Sequence, residues 1–210
     1  MIGPDHAYES YGGIVTGSDS EITAPYASVL SGDWGYATGD WSLVAGGYNG
    51  NASGDYAVTL GGNALYATAE SSTVCGGRAN RATGLYATAA GGESNDASGE
   101  GAAVFGGADN DATGQDASTL GGNQNEANGT CAVAAAGQSN LASGDWAWVS
   151  AGWSNEASGD YASVTGGQRN LASGSSAHVI GGGTNTASGF ASTVTGGSLL
   201  TASGTLSYQP

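Results

Sequence analysis

A Gly recurs every fifteen residues through almost the whole chain, and no other feature of the sequence limits the fold as strongly. It occupies positions 17, 32, 47, 62, 77, 92, 107, 122, 137, 152, 167, 182 and 197 of the 210 residues. When each unit is numbered so that this Gly is position fifteen, position five is Ala in every unit from Ala37 to Ala202. Self-similarity at a short fixed period is typical of a solenoid, so the sequence predicts a stack of equivalent coils.

A coil of this length has room for two short strands and two turns, because a strand rises ~3.3 Å per residue. We predict a first strand over positions three to six, a bend at position seven, a second strand over positions nine to thirteen, and a tight corner at the Gly of positions fourteen and fifteen. The fold is therefore predicted to be an all-β parallel β-roll. Roughly thirteen coils stacked at ~4.8 Å predict a rod about 60 Å long.

Small side chains fill the predicted interior. Strand alternation places position ten (Ala or Ser) and position twelve (usually Val) inside, together with the Ala of position five. Asn at position three is suited to a structural ladder in which its amide bonds turn backbone of successive coils. These Asn residues are Asn80, Asn95, Asn110, Asn125, Asn140, Asn155, Asn170 and Asn185.

Such an interior buries little apolar area, at ~25 cal/mol per Å², so a single roll is predicted to be marginally stable. Position thirteen offers apolar side chains on the opposite side of the second strand. We therefore expect an obligate oligomer that buries this row, formed by Leu30, Leu60, Phe105, Leu120 and Ile180.

One run of residues carries a family resemblance. The run consists of Ala162, Ser163, Val164, Gly166, Asn170, Ala172, Ser173 and Gly174. It resembles the head repeats of trimeric autotransporter adhesins, the YadA-like heads, and similar repeats occur in bacteriophage and other viral tail fibres. The resemblance covers residues 33–204 and implies left-handed parallel β-rolls, with three identical chains around a common threefold axis. It is specific for the architecture and names no ligand.

The repeat also suggests where the chain divides. Residues 1–32 lack the Asn of position three and the Gly of position seven, and they contain Pro4 and Pro25. We therefore interpret them as degenerate repeats that form a capping or attachment segment. Residues 33–204 are the regular repeats, and residues 205–210 are a C-terminal tail.

The chain is strongly acidic, with 18 Asp and Glu against 3 Lys and Arg and a net charge of −15. Some acids occupy the same position of consecutive coils, as do Asp96, Asp111 and Glu126 at position four. Like charges ~4.8 Å apart repel by about 1 kcal/mol per pair in water. Three interpretations stay open: a solvated face that resists aggregation, a halophilic source, and divalent cations such as Ca²⁺ held by these acids. Nucleic acid is excluded as a partner because its phosphates would be repelled.

No grouping of residues predicts catalysis. His6 and His178 are isolated in the sequence, and Cys75 and Cys131 fall four coils apart, about 19 Å along the axis, beyond the reach of a disulfide. We therefore expect a non-enzymatic protein with no required cofactor. No apolar run reaches the ~20 residues of a membrane span, and the first residues lack the features of a secretory signal.

Aromatic residues are the candidates for recognition. Trp146 and Trp148 are predicted on one face of the second strand, with Trp153 just past the next corner and Asp145 beside them. A weaker cluster consists of Trp34, Tyr36 and Trp41. An aromatic ring beside a carboxylate can stack on a sugar and accept its hydroxyls, whereas the alternative role of such rings is packing between coils.

Two classes of function remain open. The first is a structural and adhesive trimeric fibre, most simply a virion spike or a tail or capsid fibre that contacts a host-surface glycan or protein. A cell-surface adhesin head is its alternative. The N-terminal segment would attach the fibre to a virion or cell-envelope component. The second class is an ice-binding roll, which the interrupted Thr row of position six disfavours, and a glycan-cleaving tailspike is a third possibility.

Overall fold

A computed structural model describes residues 5–9 and 11–210 and divides the chain into two compact units, Met1–Gly106 and Gly107–Pro210. Both units are parallel β-solenoids, with about thirteen turns in total. The described residues include no helix long and apolar enough to span a membrane. Residues 1–4 and 10 of the predicted capping segment, Pro4 among them, lie outside the described residues.

The described residues of unit 1 form thirteen strands. They are β1 (Ala7–Tyr8), β2 (Glu21–Ile22), β3 (Ser28–Val29), β4 (Tyr36–Ala37), β5 (Leu43–Val44), β6 (Tyr48–Ala52), β7 (Val58–Thr59), β8 (Asn63–Ala67), β9 (Thr73–Val74), β10 (Arg81–Ala82), β11 (Thr88–Ala89), β12 (Asp96–Ala97) and β13 (Ala103–Val104). Within this unit β1, β2, β4, β6, β8, β10 and β12 form one sheet in that order, and β3, β5, β7, β9, β11 and β13 form a second.

Unit 2 repeats the arrangement. Its strands are β14 (Asp111–Ala112), β15 (Ser118–Thr119), β16 (Glu126–Ala127), β17 (Val133–Ala134), β18 (Leu141–Ala142), β19 (Trp148–Val149), β20 (Glu156–Ala157), β21 (Ser163–Val164), β22 (Leu171–Ala172), β23 (His178–Val179), β24 (Thr186–Ala187), β25 (Thr193–Val194), β26 (Thr201–Ala202) and β27 (Tyr208–Gln209). Even-numbered strands form one sheet and odd-numbered strands the other.

Within each unit, neighbouring strands pair in parallel, and from β2 onward the shift is one repeat of fifteen residues, whereas Ala7 of β1 pairs with Glu21 of β2, fourteen residues on. Ala82 lies beside Ala97 in unit 1, for example, and Val149 lies beside Val164 in unit 2. Single bridges at position one, such as Trp153 with Gln168, add a third line of contact between coils. The predicted parallel roll of fifteen-residue coils is therefore confirmed, and from β2 onward each paired residue lies next to its own equivalent.

The strands are shorter than predicted. Most consist of positions four and five or eleven and twelve alone, so the predicted spans of three to six and nine to thirteen are wrong at their ends. The reason is the backbone at positions two and nine, which adopts left-handed φ values in nearly every coil, as at Ser154 (φ 53) and Trp146 (φ 60). A residue in that region turns the chain and limits most strands to two residues. The exceptions are β6 and β8, which run from position one to position five and include the left-handed residues Asn49 and Ala64.

The interior contains the side chains that the sequence predicted there. Ala162, Val164 and Ala172, at positions ten, twelve and five, have no exposed surface. Asn at position three is buried as well: in the middle of unit 2, the backbone N–H of Asn155 donates to Oδ1 of Asn140 over 3.0 Å. The amide of Asn140 donates in turn to the carbonyls of Ala136 and Gly152. Each Asn therefore forms hydrogen bonds with the corner of its own coil and with the next coil. These bonds satisfy backbone groups that the turns would otherwise leave buried without a partner.

Close contact between successive coils explains the invariant Gly. A Cβ built on Gly167, whose φ is +87°, would lie 2.2 Å from the carbonyl oxygen of Gly182 in the next coil. The adjacent Gly166 has no such neighbour, since the nearest atom to a Cβ there is 4.0 Å away. Position fifteen therefore requires Gly for two reasons, its φ and the proximity of backbone, whereas position fourteen accepts the Ala found at Ala136 and Ala151.

We predict that Gly167→Ala and Gly166→Ala, one residue apart, differ sharply in stability. Gly167→Ala should destabilise the protein by about 3 kcal/mol or more, because it combines a strained φ with a backbone clash. Gly166→Ala should be neutral or stabilising by about 0.5 kcal/mol. Urea denaturation followed by circular dichroism measures both. Equal free energies of unfolding for the two variants would contradict this explanation of the period.

Candidate functional site

The aromatic residues of position nine lie in a turn. Trp146 and Tyr161 have φ values of 60° and 58°. Their backbone N–H groups donate to the carbonyls of Thr130 and Asp145 in the preceding coil. Their side chains are 55% and 59% exposed. Trp146 therefore precedes the strand that begins at Trp148, so the prediction that both belong to one strand is wrong.

Rings of successive coils contact one another at this turn, two pairs stacked and one pair, Tyr11 with Tyr26, edge to face. The ring centroids of Trp146 and Tyr161 are 6.4 Å apart with an interplanar angle of 5°. In unit 1, Trp41 stacks on Tyr26 with centroids 4.1 Å apart. The turn aromatics thus pack between coils and expose half of their surface at the same time, which leaves them available to a ligand.

The Asp that precedes three of the turn aromatics, Tyr56, Trp146 and Tyr161, accepts a backbone hydrogen bond from the preceding coil. Oδ1 of Asp145 accepts a hydrogen bond from the backbone N–H of Thr130 over 2.9 Å, and Oδ1 of Asp160 accepts one from the N–H of Asp145 over 3.3 Å. Asp55 does the same for the N–H of Asp40 in unit 1. These bonds restrict the carboxylate of the residue directly before each ring, so Asp145 is held in place next to Trp146 in the chain.

The other two Trp residues of the predicted cluster occupy different parts of the coil. Trp148 lies on the outer side of β19, where its indole Nε1 donates to Oγ of Ser150 over 2.6 Å. Trp153 lies past the corner at position one, where the guanidinium carbon of Arg169 is 4.4 Å from its ring centroid. The three Trp residues thus have separate partners: Trp146 pairs with Tyr161, Trp148 with Ser150 and Trp153 with Arg169.

The weaker cluster is distributed in a similar way. Trp34 is at position two, with a φ of 59°, Tyr36 begins β4, and Trp41 is in the turn at position nine. The ring partner of Trp41 is Tyr26, two residues before β3. The turn is therefore the common element of the aromatic pairs in both units.

The acids proposed as weak metal ligands are placed on the first strand of their coils. Asp96 in unit 1 is 3.8 Å from Arg81. In unit 2, Asp111 lies beside Glu126 in register. Among the described residues no group of three His, Cys, Asp or Glu side chains is arranged to hold a metal ion.

Unit 2 also contains a groove that the sequence did not indicate. Its volume is about 660 Å³, and it is lined by Asp109, Gln124, Glu126, Ser139, Asn140 and Leu141. These residues occupy positions two to four of three successive coils. The only signal in the sequence is that position two is polar in each of these coils, which becomes visible once the repeats are aligned.

A second feature missed by the sequence reasoning is a contact of His178. Its Nδ1 lies 2.7 Å from Oγ of Ser163, its neighbour in the preceding coil. The sequence had suggested that His178 is isolated, and the contact with Ser163 shows that it is not. Within the described residues no carboxylate is hydrogen-bonded to the imidazole, so the orienting third group of a catalytic triad is not provided there.

Charge is distributed unevenly around the coil. Positions ten to fifteen contain no Asp, Glu, Lys or Arg in any coil from Ala27 onward. We call the outward side chains of positions eleven and thirteen the uncharged face. In unit 1 it includes Leu30, Leu43, Val58, Leu60, Thr73, Cys75, Thr88, Ala90, Ala103 and Phe105. The apolar row of position thirteen is exposed on this face.

Comparison with known proteins assigns the chain to no group. No protein-family model matches it. No curated protein matches it either.

Asp96 gives a prediction that depends on pH. Burial raises the pKa of its carboxyl, and the positive charge of Arg81 opposes the effect. Oδ1 of Asp96 is buried with no hydrogen-bond partner among the described residues. Because the folded-state pKa is raised, ionised Asp96 costs stability at neutral pH, and this cost disappears as the pH falls through that pKa.

We therefore expect Asp96→Asn to stabilise the protein at pH 7 by less than about 1 kcal/mol, since the group is partly exposed. The difference should vanish below the ordinary Asp value of 3.8. Thermal unfolding at both pH values measures it, with Glu100→Gln as an exposed control of equal charge change in the same unit. A gain from Glu100→Gln as large as that from Asp96→Asn would contradict a local effect.

Proposed function

We propose that the protein is a non-enzymatic structural and adhesive fibre that assembles from three copies of this chain. The observation that carries the proposal is the uncharged face on a chain of net charge −15. Chains of such charge repel one another, and the repulsion is smallest where they approach through surfaces without ionised groups. A surface of this composition is the natural contact for a second copy.

The interior of the coil supports the same conclusion. The fully buried side chains are mostly Ala and Val, which contribute little hydrophobic stabilisation per coil. Leu60, Phe105 and Leu120 meanwhile remain exposed at position thirteen. Burying such side chains contributes about 1.5–3 kcal/mol each when burial is complete. Association through the uncharged face therefore supplies stability that a single chain lacks.

The number three and the left-handed coil rest on the resemblance to YadA-like heads, in which three chains surround one axis. A threefold arrangement would turn the uncharged face of each chain inward. The acidic positions four and eight would face solvent, where they keep the fibre soluble and need no cofactor.

Recognition is assigned to the turn at Trp146. The exposed ring of Trp146, the parallel ring of Tyr161 and the fixed carboxylate of Asp145 offer stacking surfaces and a hydrogen-bond acceptor together. These groups suit a sugar of a host-surface glycan, because a sugar ring has an apolar face that can stack on an aromatic ring and hydroxyl groups that can donate to a carboxylate. Trp148, on the uncharged face, would be buried between chains.

The fibre is placed at the surface of a virion, as a spike or as a tail or capsid fibre, with a cell-surface adhesin head as the alternative. The resemblance supports both placements, and we propose the first. Residues 1–32 would attach the fibre to a virion or cell-envelope component, and no role for nucleic acid or membrane insertion is assigned.

Two measurements test the proposal. Immunogold electron microscopy of the source culture should place gold on free particles, and gold on cell envelopes alone would favour the adhesin head. Labelled protein should adsorb to host cells, and Trp146→Ala should reduce adsorption about thirtyfold, since an aromatic anchor contributes about 2 kcal/mol. Tyr86→Ala, at the same position of unit 1, is the control and should adsorb normally. Gold on neither surface, or equal adsorption by both variants, would overturn the proposal.

A further inference from the structure

Arg169 and Trp153 form a corner of unit 2 that differs chemically from the rest of the molecule. The Arg169 corner consists of Gln138, Trp153, Gln168 and Arg169. Bridges join Gln138 to Trp153 and Trp153 to Gln168, so these residues lie in one row across three coils. Arg169, at position two of the last of these coils, covers the Trp153 ring at 4.4 Å.

The charge of Arg169 is not neutralised by an ion pair within the part of the chain that the structure describes. Of the three Arg residues, Arg78 is paired with Glu93 and Arg81 with Asp96. Arg169 is exposed and has no ion pair among the described residues. Positions one and two carry no Asp or Glu in any coil from Gln138 to Leu199. The corner is thus a local positive site on an acidic protein.

The guanidinium is also oriented in advance. The backbone of Arg169 has a φ of 52°, and its N–H donates to the carbonyl of Trp153 over 2.9 Å. The contact with the indole ring restricts the long side chain, which reduces the entropy lost on binding. A guanidinium that contacts a ring still has N–H groups free at its edge, and their fork matches the two oxygens of a carboxylate.

We propose that the Arg169 corner binds the carboxylate of an acidic sugar. Arg169 holds the carboxylate, and the exposed amides of Gln138 and Gln168 bond hydroxyls of the sugar ring. The inference rests on the proposed adhesive function, for which it names the ligand class. A sugar with a single, isolated carboxylate is favoured over a densely charged polymer, because the other acids of the protein repel the latter.

The full-length chain is titrated by isothermal calorimetry with three trisaccharide or disaccharide probes: sialyllactose, neutral lactose and sulfated lactose. We expect sialyllactose to bind at least about tenfold more tightly than lactose, because its carboxylate adds one charge-assisted bidentate contact with Arg169. Sulfated lactose tests whether any anion suffices. Equal affinity for the sulfated and the carboxylated sugar would overturn the assignment to carboxylates.

Substitutions of Arg169 test whether sialyllactose binds at the Arg169 corner. Arg169→Gln should lower the affinity for sialyllactose about tenfold, whereas Arg78→Gln, which removes the same charge from a paired and exposed Arg, should leave it unchanged. Arg169→Lys should lose most of the affinity, because an ammonium lacks the planar fork. An equal loss for Arg169→Gln and Arg78→Gln, or full affinity in Arg169→Lys, would overturn the proposal.

The two proposals fail in different ways. If sialyllactose binds no better than lactose while host cells are still bound through Trp146, the ligand class is wrong and the adhesive function stands. If sialyllactose binds through Arg169 while no cell is bound, the corner is a sugar site and the adhesive function is wrong.

Discussion

The contact of one backbone with the next at position fifteen determines most of what the chain can be. At Gly167 this contact leaves no space for a side chain, and it recurs in coil after coil within each unit. Any insertion or deletion in a coil would displace the Gly from its neighbour. The period of fifteen is therefore the consequence of stacking equivalent residues on one another, and the Asn ladder exists because such stacking buries corner carbonyls that need donors.

This constraint separates the inside of the coil from its outside. Most interior positions carry small side chains, Val or Asn, with Ile22 and Leu65 as larger exceptions, so they hold little information about function. The outward positions can vary, yet they do not vary freely: acids occupy positions one, two, four, eight and nine, and the segment from ten to fifteen has none in the regular coils. Sorting of this kind is expected where one side of each chain meets another copy and the other side meets water.

The sequence was sufficient for the repeat, the parallel pairing and the buried positions, because each follows from a fixed period and strand alternation. The sequence did not predict where the strands begin and end. Trp146 has a left-handed backbone, which residue type alone disfavours, and only the stacking of the turn imposes it. The contact of Trp153 with Arg169 was missed because it joins residues of successive coils. The groove beside Leu141 was missed for the same reason.

The central claim is that the uncharged face joins copies of this chain, and sedimentation equilibrium tests it most directly. The wild type should sediment as a trimer at 0.15 M salt, where the screening length is about 8 Å. Leu120→Glu places a charge on the uncharged face and should dissociate the trimer, whereas Leu85→Glu, at the acidic position eight, should leave it intact. A folded wild-type monomer, or a Leu120→Glu variant that remains trimeric, would contradict the claim.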